Sequence, residues 1–486
     1  MTSSNLKSAK INLWKESFDS TISMFFGVSL DILHVAILVR YLTQEEVSIF
    51  FFSYAFVYLF IQVPKGYSIA VRKKATEYNK GREKYLWGGL ITIIPSMMSI
   101  FVLFWFIIKP LINMYSSLYL STTVTIAIFL ASLGYGILEL AKYYMAGCNN
   151  PGFAEKFRAF VSKIAMILLT IILLSKYPTV ESTLIAVALT YGLSGIYLLK
   201  LTPHEYKLPS KKTVYEILKF SKWSLPTSLL NDFYNRWDTL VLGFMVGSLS
   251  VGYYDSSIRI GFLATVLAVG ISRSSTVKIS GLYESGEDIM NISRKLIILS
   301  TFLIMPALIV ILFNGTYLLN IVFGEEYIAA KWYLVGITIQ YIFQCYRFQF
   351  ESIFNGIDKP KYTTKTSAIS VFVNIITAPF FVIYFGGLGV IYSTILAEIF
   401  RVIIYQYQIK NIFEQTIYSK SISIQYAVFV ILTITIYVIS TIFKFNNFIF
   451  LIISCIISFI GFYSLQYMLS REIKELMIEF KNDVLN

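Results

Sequence analysis

The sequence predicts an all-α polytopic membrane protein of about fourteen transmembrane helices, built as two pseudo-symmetric six-helix lobes in parallel repeat plus a C-terminal helix pair. Three observations carry that prediction. The 486 residues are 56% hydrophobic and 14% charged, with a mean hydropathy of +0.67, whereas about a quarter of the residues in a soluble chain are charged. Apolar runs of about 20 residues, the length needed to cross a bilayer, recur from Phe18 to Leu469. Two stretches of the first half also recur in the second at similar spacing.

Taken in order, the apolar runs place spans at 18–40, 47–70, 86–108, 120–145, 159–175, 183–199, 220–246, 251–272, 296–314, 331–354, 366–385, 388–409, 422–443 and 448–469. The first follows Lys7, Lys10 and Lys15 as a signal peptide would. It is too long, carries Asp19, Asp31 and His34, and lacks a small-residue cleavage site, so it reads as helix 1 of the mature chain. With the N-terminus inside, segments 1–17, 71–85, 147–158, 200–222, 273–295, 355–365, 410–421 and 470–486 hold 29 of the 41 Lys and Arg residues. The opposite loops hold four (Lys109, Lys176, Lys331 and Lys444), and eight lie in helices. This positive-inside bias puts both termini on the cytoplasmic side of the cell membrane. It accounts for the net charge of +13 without nucleic acid as a partner. The short loops leave no room for an extramembrane domain, so the chain works within the bilayer.

The repeat sets the organisation. Gly147–Pro151 (GCNNP) ends helix 4 and Gly356–Pro360 (GIDKP) ends helix 10, at an offset of 209. Glycine after a helix with proline just beyond is a helix-stop signal. Val47–Phe50 matches Val251–Tyr254, and Gly66 matches Gly270, at an offset of 204. Helices 1–6 therefore copy helices 7–12, and an even number per copy makes the repeats parallel. The lobes are 1–200 and 220–410, joined by a cytoplasmic linker at 201–219. Residues 411–486 add helices 13–14 and a tail; the pair has no charge from Ser421 to Phe443 or from Asn446 to Ser470, so lipid exposure is expected there.

The stretch 231–260 places Asp232, Arg236, Asp238, Asp255 and Arg259 in or beside two apolar helices. Each charge at the centre of a membrane helix costs roughly 2.5–3.5 kcal/mol on insertion scales, so such groups face a bundle interior or a wet cavity. The charges pair at i,i+3 or i,i+4: Glu139 with Lys142, Asp232 with Arg236, Asp255 with Arg259, Arg347 with Glu351, and Glu398 with Arg401. Such pairs lower insertion cost and lock helices together, or they line a path; the repeat, which sets Lys142 on Glu351, favours the path. At 1.5 Å per residue, Glu139, Lys142, Arg347 and Glu351 fall in the cytoplasmic half, while Asp31, His34, Asp238, Asp255 and Arg259 fall toward the outer half. A cleft with cations low and carboxylates high suits an anionic headgroup entering from inside and leaving outside.

Lys65, between Pro64 and Gly66, either snorkels to the interface or faces the cleft at a helix hinge. His34 is either a titrating group or a buried, hydrogen-bonded neutral imidazole. Asp238 is the candidate coupling carboxylate, alternating between a cation or proton and Arg259, or else forming a static bridge to it. Tyr253, Tyr254, Tyr341 and Tyr346 are candidates to stack on sugar rings. Asn314–Thr316 fits a glycosylation sequon, a triplet that also occurs by chance.

Absences exclude several classes. There is no Gly-Lys dipeptide and hence no phosphate-binding loop, and neither HExxH nor GxSxG occurs. Cys148, Cys345 and Cys455 show no CxxC spacing, and the chain has two histidines. Neither a disulfide framework, a metal site, a cofactor nor an enzyme is expected.

In order along the chain come an Asp in helix 7, Val251–Ile260 (VGYYDSSIRI), Pro306, Phe323–Tyr327 (FGEEY), Gly356–Pro360, Asn374 and Gly386–Val390 (GGLGV). This set resembles the polysaccharide-transport branch, the Wzx-type oligosaccharide flippases, of the multidrug/oligosaccharidyl-lipid/polysaccharide exporter superfamily. The resemblance implies a V-shaped pair of lobes working by alternating access and a cationic cavity for the pyrophosphate of a polyprenyl-linked oligosaccharide. It also implies coupling to a proton or sodium gradient, membrane lipids as surroundings, and a polymerase and glycosyltransferases of the same pathway as partners. Lys65, Lys142, Arg236, Arg259, Arg347 and Arg401 are the positions that could line the cavity. Asp31, His34, Asp232, Asp238, Asp255, Glu139, Glu351 and Glu398 are candidates for coupling or gating. Helix 1 lacks the arginine cluster typical of the lipid II flippase branch, which points to surface polysaccharide or glycan export. The alternatives are an ion-coupled multidrug/cation antiporter of the same superfamily, usually of twelve helices, and a polysaccharide polymerase or ligase, expected to carry a long outer loop.

Overall fold

The computed structural model describes residues 13–77, 81–116, 118–148, 151–202, 205, 207–286, 288–302, 304–443 and 446–475. Lys7, Lys10, Lys80, Lys444 and Lys481 of the charge balance, and Asn149 and Asn150 of the repeat, lie outside the described residues. Every regular element among the described residues is helical. Eleven helical runs are long and apolar enough to cross a membrane, or twelve if the bent run Ser248–Leu263 with Val266–Ser272 counts as one span. The expected fourteen is not reached on length and apolarity alone. Lys211–Met245 and Lys331–Gly356 are also long, but they carry much of the intramembrane charge that lowers their hydropathy.

Packing divides the chain into two compact units, Ser29–Ser256 and Ser257–Asn486 with the N-terminal segment to Val28. The first contains α1 (Leu13–Tyr41, from Ser29), α2 (Gln44–Phe60), α3 (Gln62–Glu77), α4 (Glu83–Leu103), α5 (Thr122–Gly147), α6 (Lys163–Leu174), α7 (Val180–Leu201), α8 (Lys211–Met245) and the start of α9 (Ser248–Leu263). Side-chain caps set several starts: Thr43 with Glu46 forms a capping box before α2, and Ser121, Thr179 and Ser210 accept from backbone N–H groups of α5, α7 and α8. Because α8 begins at Lys211, half of the expected linker 201–219 is helix. α8 packs on α2, α3 and α4, and so the packing boundary falls inside α9, whereas the repeat puts the lobe boundary in the linker.

α5 and α7 form the closest helix pair of this unit. A Cβ on Gly134 would lie 2.3 Å from the Ala188 carbonyl oxygen, and one on Gly195 would lie 2.7 Å from the Leu138 nitrogen. Small residues at membrane helix contacts let backbones approach in this way, where dispersion and hydrogen bonding replace the hydrophobic drive.

The second unit contains α10 (Val266–Ser285), α11 (Ile289–Thr301), α12 (Ile304–Phe323), α13 (Lys331–Gly356), α14 (Pro360–Phe385), α15 (Leu388–Phe413), α16 (Lys420–Ile442), α17 (Asn447–Ile456) and α18 (Phe462–Leu469). α13 packs on α10 and α15, and α14 packs on α15. The C-terminal helices lean one stripe on α12, through Met305, Ile309, Val428, Leu432, Ile436 and Phe462. Gln425 accepts from Thr301 at 3.0 Å, and Asn314 donates to Ser454 at 2.7 Å. The remaining face, including Ile431, Ile434 and Tyr437, is exposed as expected of a lipid-facing pair. Asn314 is buried in mid-helix with its amide engaged, a setting that suits a chance triplet and not an acceptor.

The repeat is visible in element boundaries. α5 and α13 are both 26 residues long, start at Thr122 and Lys331 and end at the paired glycines Gly147 and Gly356, all at the offset of 209. α2 and α9 start at the offset of 204, and the break after α2 at Ile61 matches the bend after α9 at Ala264 and Thr265.

Candidate functional site

The first unit carries a polar seam where α2 and α3 meet α8. Pro64 has no N–H to give Phe60, and the helix breaks at Ile61. Gly66 then lets α3 approach α8: a Cβ there would meet Leu225 Cγ at 2.8 Å. This approach sets Lys65 Nζ 3.6 Å from Asp232 Oδ2, with a third of the lysine side chain exposed. One turn along α8, the Arg236 guanidinium lies 4.0 Å from the Tyr58 ring centroid and 3.8 Å from Asp255 Oδ1. The expected Asp232–Arg236 arrangement along one helix thus gives way to pairs between helices, since α8 presents both residues to neighbours.

The carboxylates of this seam are deeper than its cations. Asp238 is buried and accepts from the Tyr254 hydroxyl at 2.6 Å, while Asp255 is buried and accepts from Thr239 at 3.1 Å. Tyr254 therefore anchors a carboxylate instead of offering a ring to sugar. Tyr341 and Tyr346 are buried too, Tyr341 against Phe262 and Tyr346 bonded to Tyr426 at 2.9 Å, and Tyr253 is half-buried.

A second group joins α5 to the chain entering α6. Lys142 is buried between Glu139 at 2.9 Å and Glu155 at 3.5 Å, and Arg158 bridges Glu155 at 3.3 Å and the Tyr135 hydroxyl at 3.3 Å. On the α1 side, Asp31 pairs with Lys163 at 2.6 Å, and the buried His34 bonds Thr170 at 3.2 Å. His34 thus takes the hydrogen-bonded, buried setting. Sequence reasoning missed Lys163, Glu155 and Arg158; the signal available for Lys163 was its charge inside the expected span 159–175.

In the second unit the two expected pairs of α13 and α15 merge. Glu398, fully buried, accepts from Arg347 at 2.8 Å and lies 3.4 Å from Arg401, and Arg347 lies 3.8 Å from Glu351. Arg259 is half-buried at the end of the α9 charge stretch. Lys142 and Arg401 are buried in ion pairs, whereas Lys65, Arg236 and Arg347 keep part of their surface. Among the described residues no group of three or more His, Cys, Asp and Glu could hold a metal ion.

Comparison with known proteins shows what the chain resembles. The MatE family model matches residues 224–380. The chain is 22% identical over 397 residues to the probable low-salt glycan biosynthesis flippase Agl15 of Haloferax volcanii, covering 80% of this chain and 81% of that one. It superposes on the lipid II flippase MurJ in an inward closed conformation with a TM-score of 0.76 at 19% identity, over 93% of this chain and 99% of that chain. On the Vibrio cholerae MATE transporter VcmN in its bent form, the TM-score is 0.54 at 16% identity, over 82% and 97% of the two chains. The family model for polysaccharide biosynthesis proteins matches residues 13–277, more than half of the chain and the whole of the α2–α3–α8 seam. This multi-pass membrane protein belongs to the polysaccharide biosynthesis protein family.

Proposed function

We propose that the protein is a flippase that carries a polyprenyl-pyrophosphate-linked oligosaccharide from the cytoplasmic to the outer leaflet of the cell membrane, for surface polysaccharide or glycan assembly. The observation that carries this reading is the seam on α8. Lys65 and Arg236 are partly exposed cations, each at 3.6–3.8 Å from a carboxylate, one turn apart along the contact of α2 and α3 with α8. Ion contacts of that length are weak, so an incoming pyrophosphate competes well for both cations, with shorter charge-assisted hydrogen bonds in prospect. The resemblance to Agl15, itself described as a probable glycan biosynthesis flippase, supports the same reading. The protein then moves its substrate without chemistry, with both termini cytoplasmic, and draws on a proton or sodium gradient through buried carboxylates of which Asp238 is the first candidate.

The MatE match over 224–380 favours one second reading, an ion-coupled antiporter of small cations. Headgroup translocation in proteoliposomes containing polyprenyl-pyrophosphate oligosaccharide separates the two. The flippase reading expects the headgroup to reach the far leaflet in wild-type vesicles and to stay behind in Lys65→Ala with Arg236→Ala. A wild type that exports small cations and leaves the lipid in place under every gradient sinks it.

A further inference from the structure

The Arg347 guanidinium on α13 is addressed from three directions. Its Nη1 donates to Glu398 Oε1 at 2.8 Å and its Nη2 to Gln344 Oε1 at 3.3 Å, while its Nε stands 3.8 Å from Glu351 Oε1, outside hydrogen-bond range. The two carboxylates differ in kind. Glu398 has no exposed surface and shares one oxygen with Arg401 at 3.4 Å, whereas Glu351, a turn along α13, is 31% exposed. Both guanidinium groups thus turn to one buried carboxylate oxygen, and charge so far from water is costly unless it is well compensated. Glu351 adds a second negative charge from the more exposed side, beyond hydrogen-bond distance of Nε.

We propose that Glu351 is the exchangeable counter-ion of Arg347 and Glu398 the fixed one: a phosphate group of the translocated lipid replaces the Glu351 carboxylate at the Nε edge while Glu398 keeps the guanidinium aimed. This inference rests on the flippase reading. The geometry suits it, because a guanidinium edge binds a tetrahedral phosphate through two parallel N–H donors, and an Arg held by a buried acceptor is already oriented. Glu351 then has two consequences: it raises the concentration of lipid needed to fill the site, and by returning to Arg347 it helps expel the phosphate after translocation. Glu398 is a positioning residue that acts through Arg347.

The test is the lipid-concentration dependence of translocation in proteoliposomes, with inorganic pyrophosphate as a competitor. Glu351→Gln keeps the shape at a partly exposed position. It is expected to lower KM and the pyrophosphate inhibition constant several-fold and to lower kcat in parallel. Glu398→Gln is expected to raise KM, with Glu398→Asp recovering part of the loss, a pattern that a merely structural role does not produce. Glu351→Gln with unchanged or raised KM, in a protein whose wild type flips the lipid, overturns the inference and leaves the flippase reading standing. If the wild type moves no lipid, the flippase reading fails instead. Pyrophosphate binding to the purified wild type and Glu351→Gln then still decides: equal affinity overturns the exchange.

Discussion

Lys65 Nζ and Asp232 Oδ2 face each other at 3.6 Å across the contact of α3 and α8, and the lysine is the more exposed partner. A partly exposed pair of that length, loosely held, contributes only about 1 kcal/mol or less to stability. Lys65→Ala should therefore leave the thermal unfolding midpoint close to the wild type while lowering the initial translocation rate by about tenfold or more, the loss expected when a charge-assisted contact worth about 1.5–3 kcal/mol is removed. A large fall in the midpoint with unchanged translocation would move Lys65 from the site to the scaffold.

Tyr254 supplies a 2.6 Å hydrogen bond to the buried Asp238. Tyr254→Phe keeps the ring and removes the donor, which should destabilise the protein by about 1–3 kcal/mol. Translocation should also change its dependence on the proton or sodium gradient, measured by collapsing each gradient in turn. A variant with wild-type gradient dependence would dismiss Asp238 as the coupling group.

The α5–α7 contact admits no side chain at Gly134, where a Cβ would sit 2.3 Å from a backbone oxygen. Gly134→Ala should force the helices apart and cost about 1–3 kcal/mol, the range of overpacking. Gly281, where a Cβ would meet nothing within 4 Å, is the control. Thermal unfolding in detergent of Gly134→Ala and Gly281→Ala gives the comparison, and equal midpoints would contradict the close approach.

Asn314 donates to Ser454 between α12 and α17. Ser454→Ala should loosen the C-terminal helices by about 0.6 kcal/mol, the average for hydrogen bonds between membrane helices, and by no more than about 1.7 kcal/mol. Asn314→Gln should leave electrophoretic mobility unchanged in a glycosylating host. A mobility shift would show that the triplet is an acceptor after all.

Local sequence was enough to say that the chain is a series of membrane helices and roughly where most of them run. Apolar length and the glycine–proline stops after α5 and α13 act within a few residues, so they can be read from a single chain, whereas the caps at Thr43, Ser121 and Ser210 emerged only with the structure. The intramembrane charges were equally legible, because an apolar background makes each one conspicuous. Partner choice was not. Asp232 lies four residues from Arg236, yet it meets Lys65, 167 positions away in the chain, because Gly66 and Leu225 set how closely α3 and α8 approach. Likewise Glu398 collects both Arg347 and Arg401, and Asp31 finds Lys163. Helix periodicity places a side chain on a face; which neighbour meets that face follows from the packing of whole helices, a property of the assembled fold that no stretch of sequence carries alone.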